Sequence, residues 1–90
     1  MPEVTLYTTR ACPFCHAAKK LLASLGVEYR EVNLDADPEL RQRLSRANGG
    51  WRTVPMIFIG DRFVGGFEEL RRMHARGELR RLLAGSSAAR

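Results

Sequence analysis

Two cysteines three positions apart, Cys12 and Cys15, stand between a run of strand formers and an amphipathic stripe. That junction constrains the chain more than any other feature. Val4 to Thr8 reads Val-Thr-Leu-Tyr-Thr, rich in β-branched and aromatic residues, and stops at a polar stretch. From Phe14 the apolar positions fall at Phe14, Ala17, Ala18, Leu21, Leu22 and Leu25, one face of an α-helix, and Gly26 is a natural C-terminal stop. The cysteine pair therefore sits on a strand-to-helix turn.

The remaining pattern extends this beginning into a single domain. Val27, Tyr29, Val32 and Leu34 predict a second strand over Val27–Leu34, although the alternation slips midway. Asp37-Pro38 supplies an N-cap and a proline at the first helical position, so Leu40, Leu44 and Ala47 predict a second helix ending near Asn48-Gly49-Gly50. A loop with Trp51 and Arg52 follows. Met56–Ile59 and Arg62–Val64 flank Gly60-Asp61 as an antiparallel hairpin. Gly65-Gly66 opens a third helix through Phe67, Leu70 and Met73, Gly77 interrupts it, and Leu79, Leu82 and Leu83 predict a short last helix. Residues 1–84 are thus expected to form the domain, with 85–90 a flexible tail. The order βαβαββαα predicts an α/β fold: one four-stranded mixed sheet with helices on both faces.

Composition narrows the function classes. A chain of 90 residues has room for one modest core, and 44% hydrophobic with 28% charged residues is ordinary for a soluble globular protein. No apolar run approaches the ~20 residues of a membrane span, and the N-terminus lacks a signal-peptide pattern, so a cytoplasmic protein without membrane contact is expected. The net charge of +5 draws on a cluster at Arg71, Arg72, Arg76, Arg80 and Arg81. That cluster lacks interleaved aromatics for base stacking and reads as a solvated helix face, which argues against nucleic acid and favours acidic substrates.

At the start of a helix, Cys12 faces free N–H groups and the positive end of the dipole, both of which favour thiolate over thiol. The thiolate is the species that attacks disulfides, and Cys15, one turn on, is placed to resolve the product. Pro13 lacks an N–H that a first turn leaves unpaired, and it stiffens the loop holding the sulfurs. The same pair could instead be half of a zinc site or two inert thiols. A zinc site needs two further ligands, and His16, His74 and the carboxylates show no paired spacing, so no metal is expected. Inert thiols would not require a strand-to-helix turn. His16 is expected to be an exposed spectator and His74 a partly buried packing residue.

Tyr7-Thr8 before Cys12-Pro13-Phe14-Cys15-His16, then Arg52-Thr53-Val54-Pro55, then Gly65-Gly66 before the acidic pair Glu68-Glu69, resembles the glutaredoxin family across nearly the whole chain, in particular its bacterial dithiol type. The resemblance implies the thioredoxin-like fold in minimal form, a cis peptide bond before Pro55 and a glutathione groove. It also implies glutathione as the reducing cosubstrate, disulfide-containing or glutathionylated proteins as partners, and a monomer. Cys12 is then the nucleophile and Cys15 the resolving thiol, while glutathione contacts fall to Arg10, Phe14, Arg52, Thr53, Val54, Pro55, Gly66, Phe67 and Glu68. Val54, held extended by the following proline, leaves its backbone free to pair with a short peptide, and the helix after Gly66 offers N–H groups to a carboxylate.

The chain departs from the family at Thr9, where lysine is usual, at Trp51, where glutamine is usual, and at Phe67-Glu68, where serine or cysteine precedes aspartate. Arg10 stands one position past the missing lysine. Trp51 either covers the groove and stacks on substrate or packs its loop against the second helix. Two other readings remain: a redoxin fed by thioredoxin reductase, suggested by Thr9 and Trp51, and a dimeric iron-sulfur carrier, against which Pro13 argues.

Overall fold

Alternation along β1 (Val4–Thr8) divides the molecule into two sides, because Val4, Leu6 and Thr8 are buried on one face while Thr5 and Tyr7 are half-buried on the other. This computed structural model describes residues 2–88. The elements after β1 are α1 (Pro13–Ser24), β2 (Arg30–Asn33), α2 (Pro38–Ala47), β3 (Met56–Ile59), β4 (Arg62–Gly65), α3 (Phe67–Ala75) and α4 (Glu78–Ala88). The strands form one mixed sheet in the order β2-β1-β3-β4. β1 runs parallel to β2 and antiparallel to β3, and β4 returns antiparallel to β3.

Register fixes which side chains share a face. Val4 pairs with Ile59 and Leu6 with Ile57, so all four face the side covered by Ala18 and Leu22 of α1, Leu70 and Met73 of α3, and Leu79 and Leu83 of α4. Burying each of the large aliphatic side chains here contributes about 1.5–3 kcal/mol. The opposite face carries aromatic rings. Tyr7 meets Phe58 edge to face at 5.7 Å, Phe58 meets Phe63 at 5.1 Å, and Trp51 closes the row on Phe63 at 5.3 Å. α2 lies on this second side beside Trp51 and Arg52, so helices flank both faces as the pattern predicts.

Three expectations are corrected. The second strand is confined to Arg30–Asn33 because the end of α1 uses the backbone of the residues before it: Val27 N–H donates to Leu22 O and Gly26 N–H to Ala23 O. With Gly26 at φ 71°, this is a Schellman closure, and Val27 packs back on the core rather than entering the sheet. The last helix spans Glu78–Ala88, longer than the short helix expected, and 89–90 lie outside the described residues. His74 is exposed rather than partly buried.

Candidate active site

The turn from β1 into α1 makes Cys12 the N-cap, with an extended backbone at φ −141° and ψ 97°. Its carbonyl accepts the N–H groups of Cys15 at 3.1 Å and His16 at 3.2 Å, which starts the helix, and Pro13 fills the first turn. The Cys12 Sγ accepts the Cys15 N–H at 3.0 Å. The sulfurs of Cys12 and Cys15 are joined as a disulfide across Cα atoms 5.2 Å apart. Cys15 is the more deeply enclosed, 1% exposed against 6% for Cys12.

Opposite Cys12 runs the segment that precedes β3. The Val54–Pro55 bond is cis, as the resemblance implies, and Val54 O lies 3.5 Å from Cys12 Sγ, within reach of a thiol donor when the pair is reduced. A groove of about 250 Å³ opens beside this contact, lined by Phe14, Trp51, Thr53, Val54, Pro55, Gly66, Phe67, Glu68 and Glu69. Phe14, 60% exposed, stacks on Phe67 at 6.2 Å and so bridges the starts of α1 and α3.

The start of α3 is built from its own side chains. Gly66 is the N-cap, and its N–H donates to Glu69 Oε1 at 3.0 Å. Gly65 has φ 117°, and a Cβ there would stand 3.0 Å from Glu69 Cγ, so glycine is what lets the glutamate fold back. Glu68 is ion-paired with Arg71 at 2.8 Å, and that hydrogen bond, with the arginine's charge, holds its carboxyl below the ordinary range. The Gly66 amide is therefore taken by the chain itself, and Phe67 and Glu68, whose N–H groups a first turn leaves without helical partners, line the groove.

Of the residues expected at the site, Phe14, Thr53, Val54, Pro55, Gly66, Phe67 and Glu68 come together around the groove. Arg52 and Arg10 do not line it. Arg52 faces a neighbouring hollow with Arg41 and Gln42, and its carbonyl accepts Arg41 Nη2 at 2.9 Å. Arg10 is exposed, and its backbone N–H donates to Asp35 Oδ2 at 2.9 Å. Trp51 packs its loop beside α2, with its ring on Phe63, and one edge also lines the groove near Gly66.

Sequence reasoning missed Glu69 as a groove residue, and Asp35 and Arg41 behind it. The signals for Glu69 were its membership of the acidic pair after Gly65-Gly66 and its place three residues after Gly66, where a capping glutamate belongs. His16 is exposed, as expected of a spectator. Beneath the loop, Thr8 Oγ1 donates to Glu31 Oε2 at 2.7 Å and Lys19 Nζ approaches the same oxygen at 3.1 Å. The Thr8 hydroxyl above all, opposed by some desolvation and aided by Lys19, holds the Glu31 carboxyl below its ordinary range. Among the described residues no three His, Cys, Asp or Glu side chains group as metal ligands.

Comparison with known proteins agrees with this geometry. The glutaredoxin family model matches residues 4–64. The chain is 45% identical over 84 residues to the glutaredoxin of Pseudomonas aeruginosa, spanning 93% of this chain and 99% of that protein. It is 41% identical over 83 residues to Glutaredoxin 3 of Escherichia coli K12, spanning 92% and 99%. Among solved structures, the buckwheat glutaredoxin-glutathione complex superposes with a TM-score of 0.88 at 29% identity, covering 97% of this chain and 81% of that one. The solution structure of glutaredoxin from Brucella melitensis gives 0.82 at 42% identity, covering 92% and 89%. Fold and redox pair define a thioredoxin-like thiol-disulfide oxidoreductase. Within that class the chain belongs to the glutaredoxin family.

Proposed function

We propose that this protein is a glutathione-dependent oxidoreductase that reduces protein disulfides and glutathione mixed disulfides. The observation that carries the reading is the cysteine pair at the N-terminus of α1, with the Val54 carbonyl 3.5 Å from Cys12 Sγ at the edge of a peptide-sized groove. Glutathione is a short peptide with a carboxylate at each end. The Val54 backbone, outside any strand and beside the Cys12 sulfur, suits its main chain, and the first turn of α3 suits one carboxylate. The buckwheat relative was solved as a glutathione complex.

In the reaction, the Cys12 thiolate attacks the glutathione sulfur of a mixed disulfide and the substrate thiolate leaves, taking up a proton. A second glutathione thiolate attacks the Cys12 adduct, giving glutathione disulfide and regenerating Cys12. With a protein disulfide, Cys15 attacks the Cys12 adduct, releases the reduced protein and closes the Cys12–Cys15 disulfide, which two glutathione molecules then reopen. The enzyme works in this reading as a cytoplasmic monomer, which cell fractionation and size-exclusion chromatography check.

The expected outcome of mutation is asymmetric. Cys12→Ser abolishes glutathione-dependent reduction of both substrate types, whereas Cys15→Ser retains turnover of glutathionylated substrates and loses most activity on protein disulfides. A fully active Cys12→Ser enzyme, or wild-type protein turned over by thioredoxin reductase and NADPH but not by glutathione, would overturn the assignment.

A further inference from the structure

At their ends remote from Cys12, α1 and α3 meet α4 around a hollow that disulfide exchange does not use. Its volume is about 210 Å³, and its walls are Leu25 at the end of α1, Val27 just past it, and Leu79, Leu83 and Ala84 of α4. Leu79 and Leu83 are buried, and Leu25 and Val27 are half-buried. His74 of α3 and Arg80 of α4 complete the lining from either side of the turn at Gly77, and both are exposed. No described carboxylate lines the hollow. Glu78, the nearest acid in the sequence, holds Arg62 and Arg76 instead, and Arg80 makes no ion pair among the described residues. Cys12 caps the opposite end of α1, across a helix of 12 residues, about 18 Å.

We propose that this hollow is a second binding site, for a free alkyl carboxylate about the length of octanoate, with the tail on Leu79 and Leu83 and the head on Arg80 and His74. The two parts of the lining select that chemistry together. Apolar walls are poorly hydrated and gain from being covered by methylenes, which favours an alkyl tail over a polar ligand. At about 30 Å³ for each water-sized group, 210 Å³ holds about seven methylenes. At the mouth, a guanidinium without a protein partner matches the two oxygens of a carboxylate as a fork, and the imidazole N–H adds a donor. An alkylammonium of the same length would instead set a cation against Arg80. Acetate has the head without the tail.

The probe is octanoate, titrated into the 90-residue protein while NMR follows the methyl groups of Val27, Leu79 and Leu83. Their shifts are expected to saturate with a Kd of about 0.1–1 mM. Octylammonium and acetate are expected to bind at least about tenfold more weakly, the first through its charge and the second through the missing tail. Arg80→Gln is expected to weaken octanoate about tenfold, the worth of a charge-assisted hydrogen bond. Ala84→Phe fills the hollow from an exposed position on α4 and is expected to abolish the saturating shifts. Should that variant fail to melt cooperatively, Ala84→Leu takes its place with the same expected loss. No saturation by about 10 mM octanoate, equal binding of octylammonium, or an Arg80→Gln Kd within about twofold of wild type would overturn the site. So would shifts centred on Phe14 and Phe67, which would place octanoate in the catalytic groove, or methyl shifts that move on dilution of the free protein, which would make the hollow a contact between copies. Turnover with glutathione is no part of the readout, so this site and the oxidoreductase reading stand or fall separately.

Discussion

Thr8 is a buried hydroxyl one position before the active-site loop, and a hydroxyl in that place is costly unless it is bonded. Glu31 on the neighbouring strand accepts a hydrogen bond from it, which favours the ionised carboxylate. Because the folded-state pKa of Glu31 is depressed, the stabilisation is present above the unfolded value and is lost as pH falls through the folded one. Thr8→Val keeps the shape and removes the donor. It is expected to cost about 1 kcal/mol at pH 7, discounted for the carboxylate's exposure, with the gap from wild type closing below pH 4.5, the ordinary carboxyl value. Urea melts of both proteins from pH 7 to 3 check the size and the direction. Trp51 shows the opposite situation: its Nε1 is buried without an acceptor among the described residues, so the ring is held by its contact with Phe63 and by the groove wall rather than by a hydrogen bond.

Elements built from local rules were legible in the chain, and elements shaped by neighbours were not. α1 was readable because Pro13, the apolar stripe and Gly26 all act within its own length. The start of β2 was not, because Val27 has strand character but gives its N–H to Leu22, a preference that only the helix end reveals. The groove residues at 53–55 and 66–68 were found through family motifs, since nothing local brings Thr53 near Gly66. Asp35 and Arg41 were invisible because their partners are backbone groups of residues 25 and 11 positions away, which carry no side-chain signature. The start of α3 is where a single methyl should show this dependence. Gly65→Ala meets both a φ of 117° and Glu69 Cγ at 3.0 Å, so it is expected to cost about 1–3 kcal/mol and to displace the Glu69 cap. Chemical denaturation gives the cost, and the chemical shift of the Gly66 amide reports the cap.

Taken whole, the molecule is a small body of 37 × 25 × 19 Å with a net charge of +5. Several arginines are already engaged: Arg71 with Glu68, and Arg62 and Arg76 with Glu78. Exposed pairs of this kind are worth about 0–1 kcal/mol each, so they contribute little to stability. What survives at a distance is the excess of positive charge, and a field of that sign raises the encounter rate with anions. The second-order rate of Cys12 with a disulfide in an acidic peptide is therefore expected to fall about tenfold between about 0.1 M and about 1 M salt. Over that range the screening length drops from about 10 Å to about 3 Å. An uncharged small disulfide should change by less than about twofold, because the chemical step at Cys12 involves no long-range steering. Stopped-flow rates for the two substrates across that series decide the matter: parallel curves would mean that the basic surface plays no part in substrate capture, and divergent ones that charge selects acidic partners before the groove does.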